Sequence, residues 1–134
     1  MITPANVPLV AQRWTPFVDV TDFEGFDFSA ATFAMQIRLY RDAAGDPLVS
    51  LVNAVSSAQG ISVSVATAED EYGVDVPTSS VQVRINETTL EGLLVAPNRD
   101  VTLVYDLHIT GGGLEKVRMM EGAFTIRAGA TQNG

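Results

Sequence analysis

The single histidine of the chain, His108, lies two positions after Asp106 in a segment where polar and apolar residues alternate. Positions i and i+2 of a β-strand share a face, so this carboxylate could orient the imidazole as in a Ser-His-Asp hydrolase. Such an enzyme also needs a presented nucleophile, and the chain has neither a G-x-S-x-G turn nor a cysteine. We therefore interpret His108 as a surface residue and predict no catalytic residue and no enzymatic activity.

A group of acids, Asp19, Asp22, Glu24 and Asp27, is close enough in sequence to offer oxygen ligands to Ca²⁺. Their spacing does not match the D-x-[DN]-x-[DN]-G loop, and turn capping and solvation are the default interpretation, with calcium binding left open as the alternative. The glycine run at 111–113 is followed by neither a helix nor G-K-[ST], which argues against a phosphate site. We predict no metal and no cofactor.

Composition narrows the class of partner. The chain is 46% hydrophobic and 18% charged, as in ordinary globular domains, and carries a formal charge of −8. Nucleic acid is not expected, because binding it depends on neutralising phosphates with lysine and arginine. A membrane is not expected either, since no run approaches the ~20 apolar residues of a spanning helix. The first residues, M-I-T-P-A-N-V-P-L-V, lack the basic region of a signal peptide.

The strongest structural pattern is a hairpin over residues 101–127. Strict alternation in V-T-L-V-Y-D-L-H-I-T predicts a strand with Leu103, Tyr105, Leu107 and Ile109 on one face. Three glycines allow the chain to reverse before a second strand. The apolar residues of that second strand change parity between Met119 and Phe124, so we predict a β-bulge near Gly122.

Other alternating or β-branched runs predict strands over 13–20, within 27–42, and over 48–52, 61–65 and 81–85. Composition indicates a turn at 42–47 and an exposed acidic loop at 66–80 that includes Tyr72. T-T-L-E (88–91) fits a capping box with Thr88 as the cap, followed by one or two helical turns that end at Pro97.

These elements predict an all-β fold: an antiparallel β-sandwich, immunoglobulin-like or jelly-roll-like, of about seven or more strands with one short helical turn. Residues 13–128 would form the single sandwich domain, and 129–134 a flexible tail. Residues 1–12 would be an extended N-terminal arm, because Pro4 and Pro8 oppose a helix. The apolar residues of this N-terminal arm would add to a sheet edge, in the same subunit or a neighbouring one.

Three stretches resemble small β-sandwich virion proteins of tailed bacteriophages and prophages: D-F-S-A-A-T-F-A-M-Q-I-R (27–38), V-Y-D-L-H-I-T (104–110) and M-E-G-A-F-T-I-R (120–127). The resemblance covers roughly residues 13–128. Its motifs belong to the fold rather than to a catalytic site. Two departures are Ala31, where the family usually has glycine, and the longer 66–80 segment.

The resemblance implies a structural or adaptor component of the virion, in the tail, the baseplate or the fibre attachment, assembled in the host cytoplasm. Its partners would be other virion proteins, including further copies of itself. The residues predicted to bind partners are Val7, Leu9, Val10 and Tyr72. Alternatives are a head-decoration or head-fibre base protein, or a carbohydrate- or receptor-binding β-module marked by an exposed aromatic residue such as Tyr72.

Overall fold

The hairpin predicted from alternation forms the centre of the larger of two sheets. The computed structural model describes residues 4–93, 99–111 and 113–129. In chain order the strands are β1 (Ala5–Asn6), β2 (Leu9–Gln12), β3 (Phe17–Glu24), β4 (Thr32–Arg38), β5 (Val49–Val52), β6 (Gly60–Glu69), β7 (Asp75–Ile85), β8 (Val101–Gly111) and β9 (Leu114–Arg127). One short helix, α1 (Glu87–Glu91), lies between β7 and β8.

The strands form two sheets. The six-stranded sheet has the order β1–β9–β8–β4–β5, with β2 also pairing with β9, and the three-stranded sheet has the order β3–β7–β6. Pairing is antiparallel throughout except where β1 and β2 run parallel to β9. The predicted all-β sandwich with one short helix is therefore confirmed. None of the described helical residues forms a segment long and apolar enough to cross a membrane.

The core lies between the inward faces of the two sheets. Leu103, Tyr105, Leu107 and Ile109 of β8 are all buried, as the alternation predicts. From the opposite sheet, Phe17 packs edge-on against Phe124 of β9, with the ring centroids 5.1 Å apart. Aromatic pairs in this arrangement add to the stabilisation that area burial alone provides. The core therefore joins strands that are far apart in sequence.

The bulge in β9 exists, but its predicted position was wrong. The register with β8 shifts between Leu107 and His108, where Leu107 faces Met120 and His108 faces Arg118. The extra residue is thus Met119, and both Met119 and Met120 are buried. Gly122 serves another purpose: a Cβ there would lie 2.8 Å from the main-chain oxygen of Val7. Glycine is needed because the N-terminal arm passes so close.

The predicted loop at 66–80 is mostly β-structure, so that prediction was wrong. Strands β6 and β7 stay paired from Gly60–Arg84 to Glu69–Asp75, leaving only residues 70–74 for the turn. Ala66, Thr67, Ala68 and Glu69 are all exposed, on both faces of their strand. This end of the hairpin extends beyond the sandwich, where no apolar face is needed. Composition therefore suggested a loop.

The short helix occurs where it was predicted but begins two residues earlier than the capping box implied. Asn86, not Thr88, is the N-cap, and its side chain makes no capping hydrogen bond. Instead the Gln59 side-chain oxygen accepts from the Asn86 main-chain N–H at 2.9 Å and from the Thr89 hydroxyl at 2.7 Å. Leu90 and Leu93 are buried, whereas Pro97 lies outside the described residues.

The predicted boundary at residue 12 was wrong, because the N-terminal arm is part of the sandwich. Leu9 pairs with Phe124 and Ala11 with Ile126, and both arm side chains are buried. The N-terminal arm was predicted to pair with a sheet edge of its own subunit or of a neighbouring one, and in the structure it pairs with its own. At the other end, the Ala128 N–H donates to Asp100 Oδ1 at 2.9 Å, and residues 130–134 of the predicted tail lie outside the described residues.

Candidate functional site

The Asp106–His108 pair lies on the outer face of the larger sheet. His108 Nε2 is 3.5 Å from Asp106 Oδ2 and makes no hydrogen bond to a described residue, and the imidazole is 29% exposed. A hydrolase would need a hydroxyl on one ring nitrogen and the carboxylate on the other. Among the described residues no serine or threonine hydroxyl bonds to this ring. This arrangement places a carboxylate beside the imidazole but supplies no activated nucleophile among the described residues.

The pair belongs to a small charge network that crosses β8 and β9. Arg118 Nε is 3.4 Å from Asp106 Oδ2, and its Nη1 is 3.2 Å from Glu121 Oε1. Arg41, from the turn after β4, approaches Glu121 Oε2 to 2.7 Å. The Arg41 hydrogen bond, helped by Arg118, lowers the pKa of Glu121 below its ordinary value of 4.5. The network therefore balances two arginines against two carboxylates, which suits the surface of a sheet.

The four acids considered for calcium do not converge. Asp19 pairs with Val83 on the inward face of β3 and accepts a hydrogen bond from Thr21, whereas Asp22 pairs with Ser80 on the outward face. Asp27 caps its own turn by accepting from the Ser29 N–H at 3.0 Å. Hydrogen bonds from the Ser29 side chain and from its main chain lower the pKa of Asp27. The described residues contain no cluster of three side chains able to hold a metal. Alternation along β3 puts Asp19 on the opposite face from Asp22 and Glu24, so the calcium hypothesis loses its basis.

The tip of the β6–β7 hairpin is a fixed turn. The Asp70 carboxylate accepts from the main-chain N–H groups of Tyr72 at 2.8 Å and Val74 at 2.9 Å. Gly73, at φ +75°, donates its N–H to the Asp70 carbonyl oxygen. Tyr72 is 81% exposed and Val74 is 58% exposed. The turn therefore holds an aromatic and an aliphatic side chain out in solvent on an ordered support.

The charges around this tip are uncompensated within the hairpin. Glu69 pairs directly with Asp75 across the two strands, and like charges in such positions repel. Glu71 adds a further negative charge, and the chain from residue 42 to residue 83 contains no lysine, arginine or histidine. The hairpin tip (residues 69–75) is thus an acidic surface with exposed Tyr72 and Val74 at its end.

A groove of 610 Å³ lies along the outer side of the three-stranded sheet. Its wall is the segment after β5, which the Gln82 side chain fixes by donating to the Ser56 carbonyl oxygen at 2.8 Å. The described residues that line it carry hydroxyl, amide and apolar side chains and no charge: Val20, Phe33, Asn53, Ala54, Val55, Ser56, Ile61, Ser62, Val63, Ser64, Ser80 and Gln82. Tyr72 does not line this groove.

The three partner-binding residues predicted in the N-terminal arm have different positions. Leu9 is only 5% exposed and packs in the core, so it is not part of the surface of the subunit as described. Val7 is partly buried against the same core, and Val10 is 50% exposed. Val10 lies near Val18, also exposed, across a cleft between β2 and β3. Only Val10 is available on the surface.

Two polar residues that sequence reasoning missed hold the loops in place. The Ser79 hydroxyl, fully buried, accepts from the Phe28 N–H at 2.9 Å and donates to the Phe26 carbonyl oxygen at 2.7 Å. The Asn53 side chain accepts from the Phe33 N–H and donates to the Ala31 carbonyl oxygen. Extending the alternation of β7 backwards from Val81 would have placed Ser79 on the inward face.

No protein-family model matches the chain, and no curated protein shows significant similarity to it.

Proposed function

We propose that the protein is a structural or adaptor component of a tailed-phage virion, in the tail, the baseplate or the fibre attachment, that acts through protein–protein interfaces. The observation that carries the proposal is the hairpin tip, where Tyr72 and Val74 are exposed on a turn that Asp70 holds in place. Ordered aromatic residues of this kind anchor many protein interfaces, because little conformational entropy is lost on binding.

The charge of the hairpin tip specifies the partner further. Glu69 and Asp75 repel each other in the free subunit, and Glu71 lies beside them without a base. A partner surface with arginine or lysine around an apolar recess would relieve this repulsion and receive the Tyr72 ring. The all-β sandwich agrees with the resemblance to virion proteins, which supports the proposal independently of the hairpin.

Incorporation into particles tests this function. Tyr72→Ala should reduce the number of copies in purified particles several-fold, while the purified variant melts at the wild-type temperature because the side chain has no role in the core. Tyr40→Ala is the matched control, since Tyr40 is also an exposed aromatic residue but lies in the turn after β4, and its incorporation should be unchanged. Equal incorporation of both variants would remove the hairpin tip from the interface. Absence of the wild-type protein from the particles would overturn the proposed function.

The second candidate is a carbohydrate- or receptor-binding module, which the groove on the smaller sheet favours. Its lining of serine hydroxyls, the Gln82 amide and short apolar side chains suits a neutral, hydroxyl-rich ligand. Binding of the wild-type protein to a panel of immobilised glycans, lost in Gln82→Ala and kept in Tyr72→Ala, would favour this candidate over the first. A head-decoration or head-fibre role differs from the first candidate only in location within the particle.

A further inference from the structure

The N-terminal arm occupies a socket formed entirely by distant parts of the chain. The Val7 N–H donates to the Glu121 carbonyl oxygen at 2.9 Å, and the Val7 carbonyl oxygen accepts from the Tyr105 hydroxyl at 2.6 Å. Leu9 enters the core beside Phe124, and the absence of a side chain at Gly122 lets the main chain pass. None of these contacts involves the sequence just after the arm. They would therefore be identical if the arm came from a second copy.

One residue of the turn that returns the N-terminal arm to its own subunit, residues 13–16, has an unfavourable backbone conformation. Trp14 has φ +76°, in the left-handed region that side chains other than glycine, asparagine and aspartate rarely adopt. Its indole Nε1 is buried and has no hydrogen-bond acceptor among the described residues. Thr15 precedes Pro16, which disfavours a helical turn and favours an extended chain. Opening this turn would relieve the strain at Trp14 and expose the indole N–H to water.

The closed turn also leaves space between the strands that it joins. A cleft of 460 Å³ separates β2 from β3. It is lined by residues of the turn and of the strands on either side of it, including Val10, Pro16 and Val18. Val10 and Val18 are each about half exposed beside it. The connection between the two edge strands is therefore less well packed than the socket that holds the arm.

We propose that two copies of this chain exchange their N-terminal arms, each arm pairing with β9 of the other copy while residues 13–16 extend as the hinge. The occupant of the socket is a second copy because the socket fits this sequence: a hydroxyl for the Val7 carbonyl oxygen, a glycine under the main chain, and core space for Leu9 and Ala11. Exchange keeps all of these contacts and opens the strained turn. The proposal does not depend on the virion function, since it needs only this chain.

A disulfide trap tests the exchange in a chain that has no native cysteine. Val10 and Thr125 are register partners on β2 and β9, and the ~4.8 Å between neighbouring strands suits a disulfide. The Val10→Cys/Thr125→Cys variant should be unfolded, refolded at low and at high protein concentration, and oxidised. Monomer and covalent dimer are then separated by denaturing electrophoresis without reductant. Thr102→Cys/Thr125→Cys is the control, because both positions lie in the β8–β9 hairpin, which does not exchange.

Exchange predicts a covalent dimer that increases several-fold with refolding concentration in the first variant, and monomer alone in the control. Trp14→Gly, added to the first variant, should lower the dimer fraction several-fold, because glycine removes the strain of the closed turn. Single-cysteine variants at Val10 and at Thr125, refolded together, should cross-link with each other, which keeps the test valid if the double variant folds poorly. Monomer at every concentration, together with no cross-linking in the mixture, would overturn the proposal.

Discussion

One buried hydroxyl, that of Ser79, holds the segment that crosses from the smaller sheet to the larger one. It is fully buried on β7 and satisfies both a donor and an acceptor of the segment that leads from β3 to β4. The two phenylalanines at those bonds, Phe26 and Phe28, stack with their centroids 5.2 Å apart. The hydroxyl thus fixes the entry of Phe28 into the core.

Replacing this hydroxyl should be costly. Ser79→Ala leaves the Phe28 N–H and the Phe26 carbonyl oxygen without their partner, and we expect a loss of ~1–3 kcal/mol in the free energy of unfolding. Ser64→Ala on the outward face of β6 should change it by under ~0.5 kcal/mol. Urea denaturation of both variants makes the comparison. Similar small losses in both would mean that the Ser79 bonds contribute little.

The charge network on β8 and β9 gives the stability a dependence on pH. The pKa of Glu121 is lowered in the folded chain, first by the Arg41 hydrogen bond. A depressed pKa stabilises the fold above the ordinary value of 4.5, and this stabilisation is lost as the pH falls through the folded pKa. Glu121→Gln should therefore lower the melting temperature at neutral pH and approach the wild type in acid.

Thermal melts across this pH range check the prediction, with Glu115→Gln as the control on the same strand. Glu115 is exposed. It takes no part in the charge network that the described side chains of β8 and β9 form. A constant difference between the wild type and Glu121→Gln from neutral pH to strong acid would contradict the assigned role of the carboxylate.

At the scale of elements, the N-terminal strand β2 is a structural part of the larger sheet. Leu9→Ala should lower the free energy of unfolding by ~2–5 kcal/mol, because it leaves a cavity beside Phe124. Val10→Ala, one residue along and on the outward face, should cost under ~1 kcal/mol. Chemical denaturation monitored through the single tryptophan compares them. Equal costs would mean that β2 does not pack as described.

The elements differ in how much of them could be predicted from the sequence. The β8–β9 hairpin was predictable because each strand has its own inward face, from Leu103 to Ile109 and from Met120 to Ile126. The outer part of β6–β7 was not, since neither face of residues 66–69 is covered and acidic residues dominate the turn. The bulge lies at Met119, where two adjacent methionines are both buried. The parity of the apolar residues alone could not distinguish a bulge there from one at Gly122.

Placement of the N-terminal arm and of the surfaces required the structure. Val7, Leu9 and Val10 indicated burial or binding, but only the parallel pairing with β9 separates Leu9, inside, from Val10, outside. The separation of Asp19 from Asp22 follows from alternation along β3 and was in principle readable. Pairings between distant strands are non-local, so no local pattern specifies them.

For the whole molecule, we propose that this acidic sandwich serves as an adaptor that contacts a neighbouring virion protein through its hairpin tip. The rigid two-sheet core supports that tip, and the absence of any base between residues 42 and 83 gives the surface one sign of charge. A complementary surface on the neighbour would be basic, which would make assembly sensitive to salt.

Electron cryo-microscopy of phage or tail particles purified from the organism whose genome encodes the chain tests this proposal. We expect density for the sandwich in the tail, baseplate or fibre attachment. Tyr72 should be buried against a neighbouring protein, with arginine or lysine within ion-pair distance of Glu69, Glu71 or Asp75. A particle in which the sandwich is present but its hairpin tip is exposed to solvent, or one that lacks the protein, would contradict it.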